Sequence, residues 1–409
     1  MEINRMFGLG EPVSMQVLGG SIDAEEALRR IEALGVTAFR EWMHIPTVLS
    51  DPDTVDPAAL EVYSMVLDSL KERDIEITGM SHKWFLAGEA LQDSSNAIYA
   101  RDLTPGSLYR QTLELLERSW YTMAKAFPQV SQWEVGNEWN LDQFLHPIGW
   151  KVGETGFSED EKMDIAVDLM YFSARGIRQG NPDAKVVSFS PAVTQPNLGG
   201  RSNALFCPPS YGMTLAISKI YERIKSGNFW SNNTDDYFDL IALHPYLLTQ
   251  IMPMAAANEI PAERRFFRTE DIDAAWRAPI DMVYTIMTLN GDGKKQMLLT
   301  EMGFSDWDLP GLDEKQAAMQ ETLFAFVKTM PYVRTIHSFR LYAPELHEVE
   351  EGFLPMGEVC FGLFRKDQSG VYRPRRKAFT LQKIYGGVGE LKLREEKIHG
   401  KRVLKGHHV

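Results

Sequence analysis

The sequence predicts an α/β protein built as a (β/α)8 TIM barrel, on two observations. Eight short, largely apolar runs alternate with longer stretches of helical periodicity, and buried strands separated by helices indicate a parallel sheet that closes into a barrel. The connections that enter the apolar runs are short and turn-like, whereas several that leave them are long. We therefore expect one barrel domain over residues 1–390 and a short basic tail or terminal hairpin over residues 391–409.

The eight predicted strands are seven-residue segments rich in apolar residues. They are NRMFGLG (4–10), TAFREWM (37–43), IEITGMS (75–81), SQWEVGN (131–137), KVVSFSP (185–191), DLIALHP (239–245), QMLLTEM (296–302) and TIHSFRL (335–341). Runs of this length, bounded by turn residues, are typical of strands in a buried sheet.

Helix start signals occur in several of the intervening stretches. Asp23 is followed three residues later by Glu26, as in a capping box. Asp56 and Thr104 each precede a proline, which is favoured in the first helical turn. Asp313 opens the stretch DEKQAAMQETLFAFVKTM, which has helical periodicity.

Composition limits the classes of protein that fit. The chain has 409 residues, 44% hydrophobic and 24% charged, which is typical of a globular protein. Its 43 Lys and Arg against 56 Asp and Glu give a net charge of -13. Because contact with phosphates needs a basic field, we expect no nucleic-acid partner. Only the tail is basic, and a solvated hairpin or loose end around Gly400 is the simpler interpretation of it.

Two further observations concern cysteines and membranes. Cys207 and Cys360 are too few for a disulfide framework or, without further ligands, a zinc cage. No apolar run of about 18 residues occurs, and the start MEINRMFGLG lacks the basic and apolar segments of a secretory signal. We expect a cytoplasmic protein without a membrane partner.

The long connections assign the functional face of the barrel. Residues 82–104, 138–159, 192–211 and 342–372 follow predicted strands and are rich in Gly, Pro, Asn and aromatic residues. In β/α barrels, the loops at the carboxyl ends of the strands build the substrate site. The sequence therefore predicts a pocket at this end of the barrel.

Charged, imidazole and phenol side chains occur at the carboxyl ends of several predicted strands. Such groups are costly to bury unless they are paired or line a polar cleft. They are Arg40, His82, Glu138, His244, Tyr246, Glu301, His337 and Arg340.

Two of these residues are carboxylates, on the fourth and seventh strands. Glu138 and Glu301 would face each other across the mouth of the barrel. Two carboxylates that flank a scissile bond are the minimum machinery for glycoside hydrolysis, since one protonates the leaving oxygen while the other attacks or activates water. The pair predicts a glycoside hydrolase.

The motifs WEVGNEWN and LLTEMGFS resemble those of the clan A glycoside hydrolases, which are retaining β/α-barrel enzymes. The resemblance implies that Glu138 is the acid/base, that Asn137 contacts the sugar 2-hydroxyl and that Glu301 is the nucleophile. It extends over roughly residues 4–385 and includes Arg40 in AFREW, His82 in GMSHKW, and the histidine and tyrosine of HPY, which are His244 and Tyr246.

The sequence departs from this family at the eighth strand. Many members carry a tryptophan there as a platform for the sugar, whereas SFRLYAPE provides Phe339, Arg340 and Tyr342. Aromatic side chains in the loops at the barrel mouth can also stack on sugar faces. We interpret Trp84, Trp139 and Trp307 as candidates for such contacts, with packing in the core as the alternative.

Other interpretations are open for the same residues. Arg40 could pair with a buried acid such as Glu134, and His82 or His244 could be hydrogen-bonded core histidines.

Two other classes of function also fit. His82, His244, His337 and Glu301 could bind a divalent metal in a barrel isomerase or hydrolase, although neither HxH nor HExxH spacing occurs. A barrel that binds sugar without catalysis is a third possibility.

The expected partner is a carbohydrate, without a cofactor or a metal. Enclosure by the long loops favours a pocket and exo action on short oligosaccharides or glycosides. The sugar and its linkage depend on which hydroxyls the loops contact, which the sequence does not specify. A homo-oligomer is compatible with the sequence.

Overall fold

The computed structural model describes residues 7–88, 96–151, 153–193, 211–246, 276–303, 312–343, 361–389, 391, 393–398 and 401–406. Eight parallel strands form its central sheet. They are β1 (Phe7–Gly10), β2 (Ala38–Trp42), β3 (Glu76–Met80), β4 (Gln132–Glu134), β5 (Lys185–Val187), β6 (Ile241–Leu243), β7 (Met297–Met302) and β8 (Val333–Phe339).

The strands follow one another around a nearly closed barrel. Their order in the sheet is β6-β7-β8-β1-β2-β3-β4-β5, and a parallel bridge between Val187 and Leu240 joins β5 to β6. Each predicted strand overlaps an observed one. The predicted (β/α)8 barrel is therefore confirmed.

Helices follow the strands and cover the outside of the barrel. Those in the described part of the chain are α1 (Val13–Leu18), α2 (Ala24–Leu34), α3 (Ile45–Val48), α4 (Pro57–Glu72), α5 (Leu108–Ala126), α6 (Glu159–Gly180), α7 (Tyr211–Lys225), α8 (Ala278–Leu289), α9 (Leu312–Val327) and α10 (Arg376–Tyr385). None of the helices that the structure describes has the length and apolar character needed to cross a membrane.

Short strand pairs lie outside the barrel. They join Leu49–Asp51 to Thr54–Val55, Ala97–Ile98 to His146–Pro147, Phe364–Lys366 to Tyr372–Pro374, and Leu393–Ile398 to Lys401–Gly406. The last pair is an antiparallel hairpin within the basic tail.

Two predicted helix starts are confirmed by their caps. The side chain of Asp23 accepts a hydrogen bond from the backbone N–H of Glu26 at 2.8 Å. That of Asp56 accepts one from the backbone of Ala59 at 2.9 Å. Each cap satisfies a backbone donor that has no partner inside the helix.

The other two predicted starts are displaced. Helix α5 begins after Ser107, whose hydroxyl accepts from the backbone of Arg110 at 3.1 Å. Gly106 has a φ of 84°, so the chain makes a turn after Thr104 before the helix begins. Asp313 lies inside the first turn of α9 rather than before it.

The main hydrophobic core lies between the sheet and the helices. Trp120 of α5 contacts Trp133 of β4 with ring centroids 5.6 Å apart. The Trp133 ring covers Gly79, where a Cβ atom would lie 2.5 Å from the ring. A side chain larger than glycine at this position would therefore displace the tryptophan that joins α5 to the barrel.

The interior of the barrel is more polar. One small apolar cluster comprises Val187, Leu240, Ala242 and Leu298. In contrast, Arg40, Gln132 and Glu134 are buried on β2 and β4, and Arg40 reaches across the barrel to Glu134. Charges inside a barrel must be paired, and this pairing forms the base of the site described below.

Candidate active site

Arg40 lies at the centre of a buried charge network. Its side chain is 0% exposed. Nε and Nη2 donate to the two carboxylate oxygens of Glu134 at 2.7 and 2.9 Å, and Nη1 donates to Oε1 of Glu301 at 2.6 Å. Burial disfavours the charge, but Glu134 and Glu301 outweigh burial and raise the pKa of Arg40 above its usual range. One guanidinium thus joins β2 to β4 and β7.

Glu134 is the buried partner that keeps Arg40 in place. Besides the two hydrogen bonds from Arg40, its Oε1 accepts from the hydroxyls of Ser190 at 2.6 Å and Thr300 at 3.3 Å. These donors come from β7 and from the segment that follows β5, so several strands hold the Glu134 carboxylate in place. Loss of Arg40 would leave two buried carboxylates without their cation, which is strongly destabilising.

Glu301 ends β7 with its carboxylate between two donors. Oε1 accepts from Arg40, and Oε2 accepts from the phenol of Tyr246 at 2.9 Å. A cation and a hydroxyl donor both favour the ionised form. An ionised carboxylate at the mouth of the barrel is chemically suited to nucleophilic attack.

Glu138 leaves β4 in a left-handed backbone conformation, with a φ of 50°. Its N–H donates to the carbonyl of Ser190 at 2.8 Å, and its carbonyl accepts from the N–H of Leu141 at 2.7 Å. Because left-handed φ is costly for a residue with a Cβ atom, these backbone hydrogen bonds are needed to hold it. Its side chain is 12% exposed, which leaves it accessible at the mouth.

His244 lies between the two carboxylates. Its Nδ1 is 2.8 Å from Oε1 of Glu138 and 3.7 Å from Oε2 of Glu301. Burial, followed by the charges of Arg40 and His337, holds the pKa of His244 well below its usual value, so the ring is neutral. A neutral ring with its proton on Nδ1 places that proton against both carboxylates.

Asn137 is oriented by the same arginine. Its Oδ1 accepts from Nη2 of Arg40 at 2.8 Å, and its side chain is buried beside Glu138. The amide NH2 is therefore the end directed away from the guanidinium. A donor in this position is available to a ligand hydroxyl.

The catalytic candidates are close together. One carboxylate oxygen of Glu138, one of Glu301 and a ring nitrogen of His244 all lie within 4.8 Å of one another. The sequence predicted that the two carboxylates would meet, and the structure brings them together.

An arc of aromatic and imidazole rings borders this group. Successive ring centroids are 5.4 Å apart from Phe144 to His82, 4.4 Å from His82 to His44, 6.0 Å from His44 to Trp42, 6.3 Å from Trp42 to Phe339, and 6.5 Å from Phe339 to Tyr246. Such rings supply flat apolar surface beside polar groups.

The two histidines of the arc are neutral. Burial, then Lys83 and Arg40, lower the pKa of His44 well below its usual value. Burial, then His44, Lys83 and Arg40, do the same to the pKa of His82. In each ring Nδ1 has no hydrogen-bond partner within the described ranges. Neutral imidazoles can both donate to and accept from a hydroxyl.

Two predicted sugar-stacking residues are placed in the core instead. Trp84 is 2% exposed and Trp139 is 1% exposed. The indole of Trp84 donates to the carbonyl of Ala97 at 2.9 Å, and Trp139 stacks on Phe189 with centroids 5.4 Å apart. This arrangement supports packing for both tryptophans, the alternative that the sequence left open. Trp307, the third candidate, lies outside the described residues.

Arg340, whose predicted role in substrate binding stays a prediction, pairs with a buried acid. Its Nη2 donates to Oε1 of Glu11 at 3.0 Å. Glu11 also accepts from the backbone of Leu341 at 2.8 Å and Tyr342 at 3.2 Å. The arginine thus helps to fix the chain that leaves β8, because its guanidinium pairs with an acid at the end of β1.

His337 lies too deep for direct contact with a substrate. In the barrel sheet, Arg40 lies level with Gly10 of β1 and Phe339 of β8. His337 is paired with Gly8, two residues further from the mouth. Its side chain is 0% exposed. We correct its predicted role in substrate binding for this reason.

A metal cation in this site would be repelled by the positive charge of Arg40. In the described part of the chain, the group with suitable metal-ligand geometry is Glu138, His244 and Glu301, so His82 and His337 do not join the predicted metal set. Arg40 already places a positive charge 2.6 Å from Glu301, which disfavours a divalent ion there.

Several contributing residues escaped the sequence analysis. Trp42 lies two positions after Arg40, so strand periodicity places both on one face and could have identified it. Ser190 and Thr300 have no comparable signal, because a hydroxyl at a strand end is common and only the fold shows that both reach Glu134.

No protein-family model matches the chain, and no curated protein matches it. Solved structures resemble it in fold. A family 1 β-glucosidase from Thermotoga maritima in complex with isofagomine lactam has a TM-score of 0.60 and 15% identity, covering 95% of this chain and 99% of that one.

Two other solved structures give similar values. A β-glucosidase from Pyrococcus furiosus has a TM-score of 0.60 and 13% identity, covering 94% of this chain and 96% of that one. A GH5_18 protein from Streptomyces cattleya in complex with GlcNAc has a TM-score of 0.59 and 15% identity, covering 93% and 79%. The resemblance predicted from the motifs is confirmed at the level of the fold.

The left-handed backbone of Glu138 predicts a difference between two variants. Both Glu138→Gly and Glu138→Ala remove the carboxylate and its contact with His244, but only alanine retains the Cβ atom that disfavours a φ of 50°. We expect Glu138→Gly to be more stable than Glu138→Ala by about 1 kcal/mol. Urea unfolding of the two proteins measures this difference, and equal or reversed stabilities would contradict the assigned backbone conformation.

Proposed function

We propose that the chain is a retaining glycoside hydrolase that cleaves β-glycosidic bonds through a covalent glycosyl-enzyme. The observation that carries this proposal is the pairing of Glu138 and Glu301, with oxygens within 4.8 Å of each other and of His244. Retaining enzymes separate their two carboxyl groups by about 5–5.5 Å and inverting enzymes by about 6.5–9.5 Å, and so close an approach of single oxygens favours the shorter separation. The fold likeness to β-glucosidases supports the same class.

In the proposed first step, Glu301 attacks the anomeric carbon while Glu138 protonates the departing oxygen. The C–O bond to the leaving group breaks as the bond to a Glu301 oxygen forms, and the proton of Glu138 leaves with the alcohol. Arg40 and Tyr246 support the ionised nucleophile through their hydrogen bonds of 2.6 and 2.9 Å.

In the proposed second step, Glu138 acts as a base. It takes a proton from a water that attacks the anomeric carbon, and the ester bond to Glu301 breaks to regenerate the carboxylate. Formation of the ester removes one negative charge beside Glu138, so Glu138 gives up its proton more readily at that stage. The change in charge on Glu301 thereby lets Glu138 act as the acid in the first step and as the base in the second.

His244 contributes by determining which oxygen of Glu138 carries the catalytic proton. With its hydrogen on Nδ1, the ring donates to Oε1 of Glu138, 2.8 Å away. The proton of the acid is then confined to Oε2, the oxygen that would protonate the departing group. This arrangement supports the assignment of Glu138 as the acid.

The sugar itself would contact the amide and the ring arc. The NH2 of Asn137 is available to the 2-hydroxyl, and neutral His82 can exchange hydrogen bonds with a neighbouring hydroxyl. Trp42 and Phe339, whose rings are nearly parallel at an interplanar angle of 17°, supply the apolar surface that many clan members obtain from a tryptophan on the eighth strand.

A second candidate function is metal-dependent hydrolysis or isomerisation. The closeness of Glu138, His244 and Glu301 favours it, since carboxylate and imidazole ligands suit zinc or manganese. The positive charge of Arg40 on Glu301 opposes it. The two candidates differ in their response to a chelator.

The substrates that we propose are short oligosaccharides or glycosides, cleaved from one end in the cytoplasm. A panel of aryl β-glycosides of glucose, galactose, xylose, mannose, fucose, arabinose and glucuronic acid tests this. We expect turnover of at least one compound, unchanged by a chelator. Activity that chelation abolishes and a divalent metal restores would support the metal-dependent candidate, and absence of turnover across the panel would contradict exo action.

The role of Glu138 as the acid predicts a dependence on the leaving group. Glu138→Ala should slow poor leaving groups by roughly 10²–10⁴-fold, the usual contribution of general acid catalysis, and should slow activated aryl groups far less. Added azide should restore turnover, because a small anion can enter the space of the carboxylate, and should yield a β-glycosyl azide. Equal losses on both substrate types without an azide product would assign the acid to another residue.

A further inference from the structure

Two buried imidazoles inside the barrel each have a ring nitrogen that lacks a hydrogen-bond partner in the described part of the chain. They are Nε2 of His244 and Nε2 of His337, and both side chains are 0% exposed. An unsatisfied buried polar group is destabilising, and most such groups in folded proteins are paired with protein or ordered water. Each of the two nitrogens therefore indicates a bound partner inside the barrel.

His337 lies across the inner face of β1. A Cβ atom on Gly8 would be 2.4 Å from its Cδ2, so the ring occupies space that only glycine leaves open. Its Nδ1 is 3.4 Å from the carbonyl oxygen of Leu299. Because a carbonyl only accepts, Nδ1 carries the hydrogen and Nε2 presents a lone pair. Burial and then Arg40 lower the pKa of His337 to about 3, which keeps the ring neutral.

His244 presents a second lone pair to the same region. When its hydrogen is on Nδ1 and donates to Oε1 of Glu138, 2.8 Å away, Nε2 is an acceptor. The nearest carboxylate oxygen to Nε2, Oε1 of Glu134, is 4.0 Å away and cannot donate. The two imidazoles are near enough for a charge on His337 to lower the pKa of His244.

A single ligand that satisfies both lone pairs must donate twice. Water has two O–H groups, whereas an ammonium ion would add a positive charge beside Arg40. The guanidinium has five N–H groups, and its contacts with Glu134, Asn137 and Glu301 use four of them. The remaining N–H on Nη1 can donate to the oxygen of that water, which would give it about three hydrogen bonds, the usual number for a buried water.

We propose that a water molecule is bound inside the barrel beneath Glu138 and Glu301, where it donates one hydrogen to Nε2 of His244 and the other to Nε2 of His337. His337 is then a positioning residue. It acts through the water and His244 and does not touch the substrate.

The consequence for catalysis rests on the proposed function. A donor at Nε2 keeps the His244 proton on Nδ1, and that proton occupies Oε1 of Glu138. The acid proton of Glu138 then remains on Oε2. Without the water, the His244 proton can move to Nε2, and a lone pair on Nδ1 then faces Glu301, 3.7 Å away. Loss of His337 should therefore weaken protonation of the leaving group rather than binding of the sugar.

A crystal structure of the unaltered protein tests the site without any substrate. We expect one ordered water about 3 Å from Nε2 of both His244 and His337. A protein donor at either nitrogen, a metal ion, or the absence of ordered density between the two rings would overturn the proposal. This measurement does not depend on the folding of any variant.

Nitrogen-15 NMR of histidine-labelled protein tests the coupling. In His337→Phe, the ring proton of His244 should move from Nδ1 to Nε2, so the Nε2 resonance should shift toward that of a protonated imidazole nitrogen. His146→Phe is the matched control, because it also replaces a buried histidine but one outside the barrel, bonded to the Asp142 carbonyl at 2.8 Å. It should leave the His244 resonance unchanged. An unaltered His244 resonance in His337→Phe would refute the coupling.

Kinetics separate a positioning role from a structural one. His337→Phe should lower kcat about 10-fold, the lower end of the loss when a partner that orients an imidazole is removed, with KM within about twofold. Unchanged kcat would remove the positioning role. If the unaltered protein cleaves no glycoside, the proposed function fails, whereas the crystal and NMR results still decide whether the water is present.

Discussion

The pairing of Arg40 with Glu134 and Glu301 is the interaction on which the site depends. A guanidinium that is 0% exposed contacts carboxylates from two other strands at 2.6–2.9 Å. Such a group is stable in a barrel only while its hydrogen bonds are complete. The Arg40 guanidinium also positions Glu301 and the amide of Asn137. It therefore determines both the geometry and the charge of the site.

The position of one proton follows from that charge. Burial and Arg40 keep His244 neutral, and its Nδ1 lies 2.8 Å from Oε1 of Glu138. A charged histidine would donate at both nitrogens and would compete with Arg40 for Glu134. The buried arginine therefore supports the ionised state of one glutamate directly and the orientation of the other through His244.

Strand ends and the placement of Glu138 and Glu301 at them could be predicted from the sequence, because apolar runs and polar residues at their carboxyl ends reflect the barrel directly. The direction of a side chain in the loop after a strand could not be predicted from the sequence. Trp84 and Trp139 follow strands, as predicted, yet they turn into the core, since the loop backbone decides where each ring packs. Arg340 pairs with Glu11, more than 300 residues away in the chain, and no local pattern reports such a contact.

Trapping of the intermediate with a 2-fluoro glycoside tests most directly whether Glu301 is the nucleophile that Arg40 stabilises. The account predicts one label, on the peptide that contains Glu301, and a first-formed product with the β configuration by proton NMR. A label on another residue, or an α product formed first, would contradict it.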